Sequence, residues 1–179
     1  IKQTNPTLID DLIPGTISLG YLEKVLCLLL REGVPIRDME TILETLGDHA
    51  GALKDIDIVT EYVRQALKRT ITRRFAEANS LRVITVDPKV EDTIVASVKK
   101  SEAGSYRAMD PDLIQKIVNI TSGEIDKVKD VIPNIIILTS PIVRIYFKKL
   151  IDQFIPNITV LSYSEIDNTA QIQAIGNIA

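Results

Sequence analysis

The side chains that carry out most protein chemistry are few in this 179-residue sequence. The single histidine, His49, and the single cysteine, Cys27, stand in different predicted elements, and no ligand spacing joins them into a metal site. A catalytic nucleophile needs a base within hydrogen-bond reach, and no G-x-S-x-G motif accompanies the lone histidine. Cys27 lies in an apolar run and is expected to be a buried, inert thiol. We therefore expect no metal, no cofactor and no enzymatic activity.

The ends of the predicted strands are a second place for chemistry, because parallel α/β sheets bind ligands at the carboxyl ends of their strands. Here these ends lead into Asp87-Pro88, Ser140-Pro141 and Ser162-Tyr163. A phosphate site needs free backbone N–H groups at a helix start and a glycine that lets the phosphate approach. This edge has no glycine, two of its helix starts carry proline, and Asp87 would repel an anion. A nucleotide site is therefore not expected.

One charge cluster stands out, on the fourth predicted helix, and consists of Arg64, Lys68, Arg69, Arg73 and Arg74. It fits a solvated helix face or a contact patch for an acidic protein surface. A nucleic-acid contact is the third interpretation, but no aromatic residues interleave with the cations to stack on bases. The net charge of −3 also gives no basic excess. A nucleic-acid-binding or regulatory module therefore stays the alternative to a protein-interaction function, and no nucleic-acid partner is expected.

The elements that position these residues change in kind near residues 76–80. Apolar residues at three- and four-residue spacing predict helices in the first half of the chain. They run from Asn5 to Ile13, from Leu19 to Leu30, from Pro35 to Leu46 and from Val59 to Ala76, with a loop at 47–55. Short links between such helices predict a compact bundle.

The second half combines β-branched runs with helices that start at a cap residue followed by proline. Strands are predicted at 81–86, 134–139 and 158–161, an exposed loop at 101–107 and a helix interruption at 122–123. Strand–helix–strand order with tight links predicts parallel pairing. The predicted fold is mixed α and α/β, with an N-terminal helical bundle followed by a small three-layer-like α/β domain with a short, mainly parallel sheet. The predicted parts are a helical subdomain at 1–78, an α/β subdomain at 79–166 and a C-terminal tail at 167–179.

Three stretches of the sequence resemble signatures of the FlhA family of flagellar export-gate proteins and its virulence secretion relatives. They are Leu28–Asp38 with Thr41–Leu46, Glu61–Arg69 and Val160–Ile166. Their order and spacing also match, and the resemblance covers nearly the whole chain. The sequence departs from the family at Gly47-Asp48-His49 and at Pro35, where serine is common. The residues of these stretches are closer to the flagellar branch than to the virulence branch.

The resemblance implies a larger parent protein with membrane-spanning helices followed by a cytoplasmic domain of four subdomains. That domain forms a nonameric ring beneath the export channel, receives export substrates with their chaperones and communicates with the export ATPase complex. This chain begins with Ile1 and is similar to the last two subdomains, so we expect an excised, soluble portion at the cytoplasmic face of the bacterial inner membrane. The main chaperone-docking pocket lies in the earlier subdomains. Membrane contact is expected only through the missing N-terminal part.

The same resemblance points to charged residues of the helical half as ring-interface or partner residues. We expect this role, or that of structural ion pairs, for Arg31, Arg37, Asp38, Glu61 and Arg64. Local pairing within the chain is the other interpretation of these five residues. Exposed ion pairs stabilise a fold by only about 0–1 kcal/mol, so charge at these positions would set geometry or partner choice more than stability.

Overall fold

The computed structural model describes residues 9–10, 12–101, 104–107 and 109–179. The chain divides into two compact units, which we call the helical unit (Ile1–Phe75) and the α/β unit (Ala76–Ala179). The helix predicted to open at Asn5 begins outside the described residues. The limits of 1–78 and 79–166 for two subdomains stay a prediction.

The helical unit is built from amphipathic helices, and the side chain of the preceding residue caps the start of three of them. Its elements are α1 (Leu19–Arg31), α2 (Met39–His49), α3 (Ile56–Ala66) and α4 (Lys68–Phe75). The Ser18 hydroxyl accepts the Tyr21 N–H at 3.1 Å, and an Asp55 carboxylate oxygen accepts the Asp57 N–H at 3.0 Å, so donors at two helix starts are satisfied. Aliphatic side chains from all four helices form the core. These include Val25, Leu29, Ile42, Leu43, Leu46, Val59, Val63 and Ile71.

Helix limits in this unit differ from the predicted ones for local reasons. The third predicted helix starts at Met39 rather than at Pro35, because the Asp38 carboxylate accepts the Thr41 N–H at 3.3 Å and caps it there. It runs on to His49, through part of the predicted loop. The fourth predicted helix is two helices, since Leu67 has ψ near +16° and ends α3.

Cys27 is exposed, so the prediction that it is buried was wrong. Its neighbours Val25 and Leu29 are fully buried. They lie two positions to either side of Cys27, which at 3.6 residues per turn is about 200° around the helix. Cys27 therefore lies opposite the buried stripe, although the sequence around it is apolar throughout.

The α/β unit contains a parallel sheet of the strands β1 (Ser80–Val86), β4 (Ile136–Thr139), β5 (Thr159–Ser162) and β6 (Gln171–Ile178). Their order across the sheet is β5-β4-β1-β6. The helices are α5 (Pro88–Ser97), α6 (Pro111–Val128) and α7 (Pro141–Ile151), and a 3₁₀ turn spans Tyr163–Glu165. Ile84, Ile137 and Val160 of three sheet strands pack in one core cluster with Phe147 of α7. The predicted fold class is confirmed.

Two features of the α/β unit contradict the sequence-based prediction of its middle part. Residues 101 and 104–107 of the predicted loop belong to two antiparallel strands, β2 (Val98–Ser101) and β3 (Gly104–Arg107). The predicted interruption at Ser122-Gly123 is absent, since α6 continues through it. Gly123 is exposed, so it weakens this helix by about 1 kcal/mol without ending it.

The predicted C-terminal tail is largely a strand of the sheet. β6 lies parallel to β1, with partners from Ser80↔Gln171 to Val86↔Ile178. Ile178 is fully buried in the core cluster, and its carbonyl accepts the Asp87 N–H at 2.8 Å. The prediction failed because the first residues of β6 are exposed on both faces, which removes the alternation that marks a half-buried strand.

Substituting the buried end of β6 tests whether this segment belongs to the fold. We expect Ile178→Ala to lower the free energy of unfolding by about 2–5 kcal/mol, because it removes fully buried methyl groups. Ile172→Ala on the same strand is the matched control, since Ile172 is 44 % exposed. The control should cost less than about 1 kcal/mol in the same urea titration. Equal, small effects of both substitutions would contradict the assignment of β6 to the core.

Candidate interaction surface and buried ion pairs

The five charged residues predicted as interface residues divide into exposed and buried sets. Arg31 in the last turn of α1 and Arg37 before α2 are exposed. Asp38 is also exposed, and its carboxylate is engaged at the start of α2. Glu61 and Arg64 of α3 are buried. The exposed residues stay predicted partner contacts, whereas the two buried residues lie within the chain's own packing.

Arg64 forms an ion pair inside the helical unit. Its Nη1 lies 3.2 Å from Oε2 of Glu32, and the two side chains are 1 % and 18 % exposed. Glu32 is the C-terminal cap residue of α1, so the pair ties the end of that helix to α3. A buried cation without a counter-charge would cost several kcal/mol, so Glu32 stabilises the buried position of Arg64. Glu32 was not among the predicted interface residues, because the stretch that contains it is explained by a helix end and a turn.

The turn after Glu32 depends on Gly33. Gly33 has φ +70°, in the left-handed region that glycine adopts without strain. Its N–H donates to the Leu30 carbonyl at 3.0 Å, and the Val34 N–H donates to the Leu29 carbonyl at 3.0 Å. These bonds close the end of α1 and bring Val34 into the core, where it is fully buried. The stretch Glu32–Val34 is thus fixed by an ion pair, a turn and a core contact in succession.

The predicted basic cluster does not lie on one helix face. Arg64 belongs to α3 and is buried, while the break at Leu67 leaves the other four cations on α4. These four are exposed, and we call them the basic face of α4: Lys68, Arg69, Arg73 and Arg74. The Arg74 guanidinium also lies 5.5 Å from the centre of the Phe75 ring. The cluster thus splits into a structural ion pair and an exposed cationic face.

A second ion pair lies in the interior of the α/β unit. The side chains of Arg144 on α7 and Glu165 in the 3₁₀ turn are both 0 % exposed, with Nε and Oε1 3.7 Å apart. The other carboxylate oxygen of Glu165 accepts the Ser162 N–H at 2.9 Å, and Arg144 Nη1 donates to the Val160 carbonyl at 3.2 Å. Both charges therefore also bond to the backbone of β5. Glu165, in the stretch Val160–Ile166, thus links α7 to β5.

The carboxyl edge of the sheet is occupied by the chain's own carboxylates. Glu91 of α5 accepts the Ser140 N–H at the start of α7, at 2.7 Å, and Asp87 accepts the Lys89 N–H at 2.9 Å. These contacts use donors that a phosphate would need.

The single histidine packs against an aromatic ring. His49 stacks on Tyr62, with ring centres 4.2 Å apart. In the part of the chain that the structure describes, no group of three or more His, Cys, Asp or Glu side chains is arranged to hold a metal ion.

The fold matches solved structures of related proteins over 99 % of this chain. The nonameric EscV cytosolic domain from the type III secretion system is 29 % identical, with a TM-score of 0.81 and 52 % of that chain covered. The Chlamydia pneumoniae CdsV protein, solved in complex with CdsO, is 33 % identical, with a TM-score of 0.87 and 52 % covered. The helical unit and α/β unit thus define a protein of the type III secretion export class.

The chain belongs to the FHIPEP family, whose model matches residues 1–171. The flagellar biosynthesis protein FlhA of Bacillus subtilis is 38 % identical over 98 % of this chain and 26 % of its own length. The invasion protein InvA of Salmonella typhimurium is 30 % identical over 88 % of this chain and 23 % of its own. The chain therefore spans about a quarter of the length of these relatives. None of the helices described here is both long and apolar enough to cross a bilayer.

Breaking the Glu32–Arg64 pair tests whether Arg64 is a structural residue. We expect Arg64→Met to lower the free energy of unfolding by about 3 kcal/mol, because it leaves the Glu32 carboxylate largely buried without this cation. Arg37→Met, at an exposed arginine of the same helical unit, should change stability by less than about 0.5 kcal/mol. Urea titration of both variants provides the comparison. Similar stability of the two variants would show that the buried pair does not support the fold.

Proposed function

We propose that this chain is the membrane-distal part of the cytoplasmic domain of a flagellar type III export gate, without catalytic chemistry of its own. The single observation that carries the proposal is the match of 99 % of the chain to a nonameric secretion-system cytosolic domain. The identity to B. subtilis FlhA supports the flagellar branch. The parent protein is anchored in the bacterial inner membrane through a part outside this chain, and this portion faces the cytoplasm.

The helical unit contributes to ring assembly through its exposed charges. A cyclic ring joins two different faces of each subunit, so cations on one face must meet acceptors on the neighbour. Arg31 and Arg37 have the exposure that such a contact needs, while the Glu32–Arg64 pair fixes the α1 end that carries Arg31. Their contribution is to register and partner choice, since rim charges act mainly on specificity and association rate.

The α/β unit contributes surface for partners of the export machinery. The solved complex of CdsV with CdsO supports the idea that a domain of this fold binds another protein. The export ATPase complex and chaperone–substrate complexes are the partners we propose, with chaperones docking mainly on subdomains outside this chain. The helices and sheet provide a rigid frame, because the buried Arg144–Glu165 pair and the aliphatic core fix α7 against β5.

Removal of the whole region from the parent gene tests the proposed function. We expect the in-frame deletion to abolish release of filament protein into the medium while the truncated protein reaches its normal level in the membrane. Normal secretion by the deletion strain would overturn the proposal.

Reversal of the two exposed charges tests the proposed ring contact. In the purified full cytoplasmic domain, Arg31→Glu with Arg37→Glu should reduce nonamer formation, measured by mass photometry. Arg31→Lys with Arg37→Lys is the matched control, because it keeps both charges.

The basic face of α4 raises a second candidate function, contact with nucleic acid, which we do not expect. Its four exposed cations lie on one short helix, where they can attract the phosphates of a nucleic acid. We expect no binding of a labelled duplex at micromolar concentration and moderate salt, because the chain has a net charge of −3 and no basic excess. Salt-dependent binding that is lost in Arg73→Gln with Arg74→Gln would support this second function instead.

A further inference from the structure

The two edge strands of the parallel sheet, β5 and β6, are treated differently by the rest of the α/β unit. An edge strand presents backbone N–H and C=O groups that can pair with another chain, and proteins usually block such edges. Charged side chains, proline, short strands and covering helices are the common means. The α/β unit uses several of these means at β5 and few of them at β6.

The β5 edge is short and is held by cationic side chains of α7. Arg144 donates to the Val160 carbonyl at 3.2 Å, and Lys148 donates to the Ile158 carbonyl at 2.9 Å. Residues four apart on a helix rise by about 6.0 Å. Carbonyls two residues apart on a strand are spaced by about 6.6 Å. The two spacings match, so one helix face serves the carbonyl of Val160 in β5 and the carbonyl of Ile158 directly before it.

The β6 edge lacks these devices along its first residues. β6 ends the strand order and pairs with β1 alone among the residues that the structure describes. The segment Gln171–Ile178 contains no Lys, Arg, Asp, Glu or Pro. Its first four residues, Gln171–Ala174, are all exposed. This edge is therefore uncharged and open to solvent.

The backbone pairing identifies the groups of β6 that face outwards. The Gln171 N–H donates to the Asn79 carbonyl at 2.9 Å, so Gln171 directs its backbone groups towards β1. Successive residues of a strand alternate in direction, which turns the N–H and C=O groups of Ile172 and Ala174 outwards. The register then shifts at Ile175, because Val83 pairs with Ala174 and the next residue of β1 pairs with Gly176. The open stretch is thus Gln171–Ala174, with two donors and two acceptors.

We propose that the outward edge of Gln171–Ala174 binds an extended polypeptide by strand addition, and that its occupant is an unfolded, uncharged segment of an export substrate. The inference rests on the proposed export function. A row of backbone donors and acceptors recognises the main chain of any extended peptide, which gives affinity without demanding a sequence. The uncharged side chains of Gln171, Ile172 and Gln173 favour a neutral segment.

A second copy of this chain is the competing occupant, and the size of the edge argues against it. Four residues extend over about 13 Å of strand. Pairing over this length cannot bury the roughly 1,000 Å² that a stable protein–protein interface needs. The bulge at Ile175 prevents the pairing from continuing along the strand. A short, backbone-mediated contact suits a segment that must be released again during export.

Peptide binding to the 179-residue chain tests the proposal directly. The probe is a fluorescein-labelled peptide of alternating Thr and Val with Lys at each end. Its binding is measured by fluorescence anisotropy. We expect saturable binding that Ala174→Pro weakens by about tenfold or more, because proline removes an outward N–H and its ring obstructs the added strand. Ala174→Thr, the matched control, keeps the backbone donor, so its affinity for the probe should lie within about twofold of that of the unsubstituted chain. A probe with N-methylated backbone amides should not bind.

The thermal unfolding of both variants shows whether the sheet is intact. Ala174→Pro should unfold at nearly the same temperature as Ala174→Thr, since the lost N–H makes no bond to β1 and edge strands tolerate proline. No binding of the probe by the folded, unsubstituted 179-residue chain would overturn the proposal. Equal binding by the two folded variants would overturn it as well. Concentration-dependent dimers that Ala174→Pro abolishes would assign the edge to a second copy and also overturn it.

Secretion by cells carrying Ala174→Pro in the full gene separates this inference from the proposed function. We expect less filament protein in the medium, with normal membrane level and normal ring formation by the cytoplasmic domain. Ala174→Thr should secrete normally. If the region deletion abolishes secretion while Ala174→Pro secretes like Ala174→Thr, the export function stands and the strand-addition site is overturned. Normal secretion by the deletion strain would instead overturn the function on which the inference rests.

Discussion

The α/β unit depends on how it accommodates one fully buried cation, the guanidinium of Arg144. A lone charge in an apolar interior costs several kcal/mol, so its position requires a counter-charge and further hydrogen bonds. Glu165 provides the counter-charge, and the carbonyl of Val160 accepts from the same guanidinium. The carboxylate of Glu165 in turn accepts the Ser162 N–H. Helix α7, strand β5 and the 3₁₀ turn are therefore held in one arrangement by a single network, which also closes one edge of the sheet.

The helical unit uses the same physical solution at the end of α1. Arg64 is buried on α3 and meets Glu32, which caps α1 just before the left-handed turn at Gly33. The arginines on either side of that turn, Arg31 and Arg37, are exposed. One stretch of sequence thus contains Glu32, which pairs inside the fold, and two exposed arginines. This division separates a charge whose substitution should lower stability from charges whose substitution should leave it nearly unchanged.

Burial, which separates these charges, could be inferred from the sequence only in part. Proline after a cap residue predicted where α5, α6 and α7 begin, because the signal is local. Apolar runs likewise predicted the strands of the core. The exposure of Cys27 and the burial of Arg64 were beyond local signals. The exposure of each side chain depends on which side of its helix packs against the rest of the helical unit. The sequence does not specify that side, because the run Val25–Leu30 is apolar on every side of α1 and a charged residue such as Arg64 is ordinarily exposed.

By itself, the sequence determined the helical and α/β halves, the parallel sheet, the lack of an evident catalytic constellation and the family resemblance, because these follow from local periodicity, caps and composition. Only the tertiary structure decided that Gln171–Ile178 is a strand, that Glu32 is the partner of Arg64, and that β5 and β6 differ as edges. The physical reason is that strand pairing and ion pairing join residues far apart in the chain. Their energies depend on distance and burial, which no local pattern specifies.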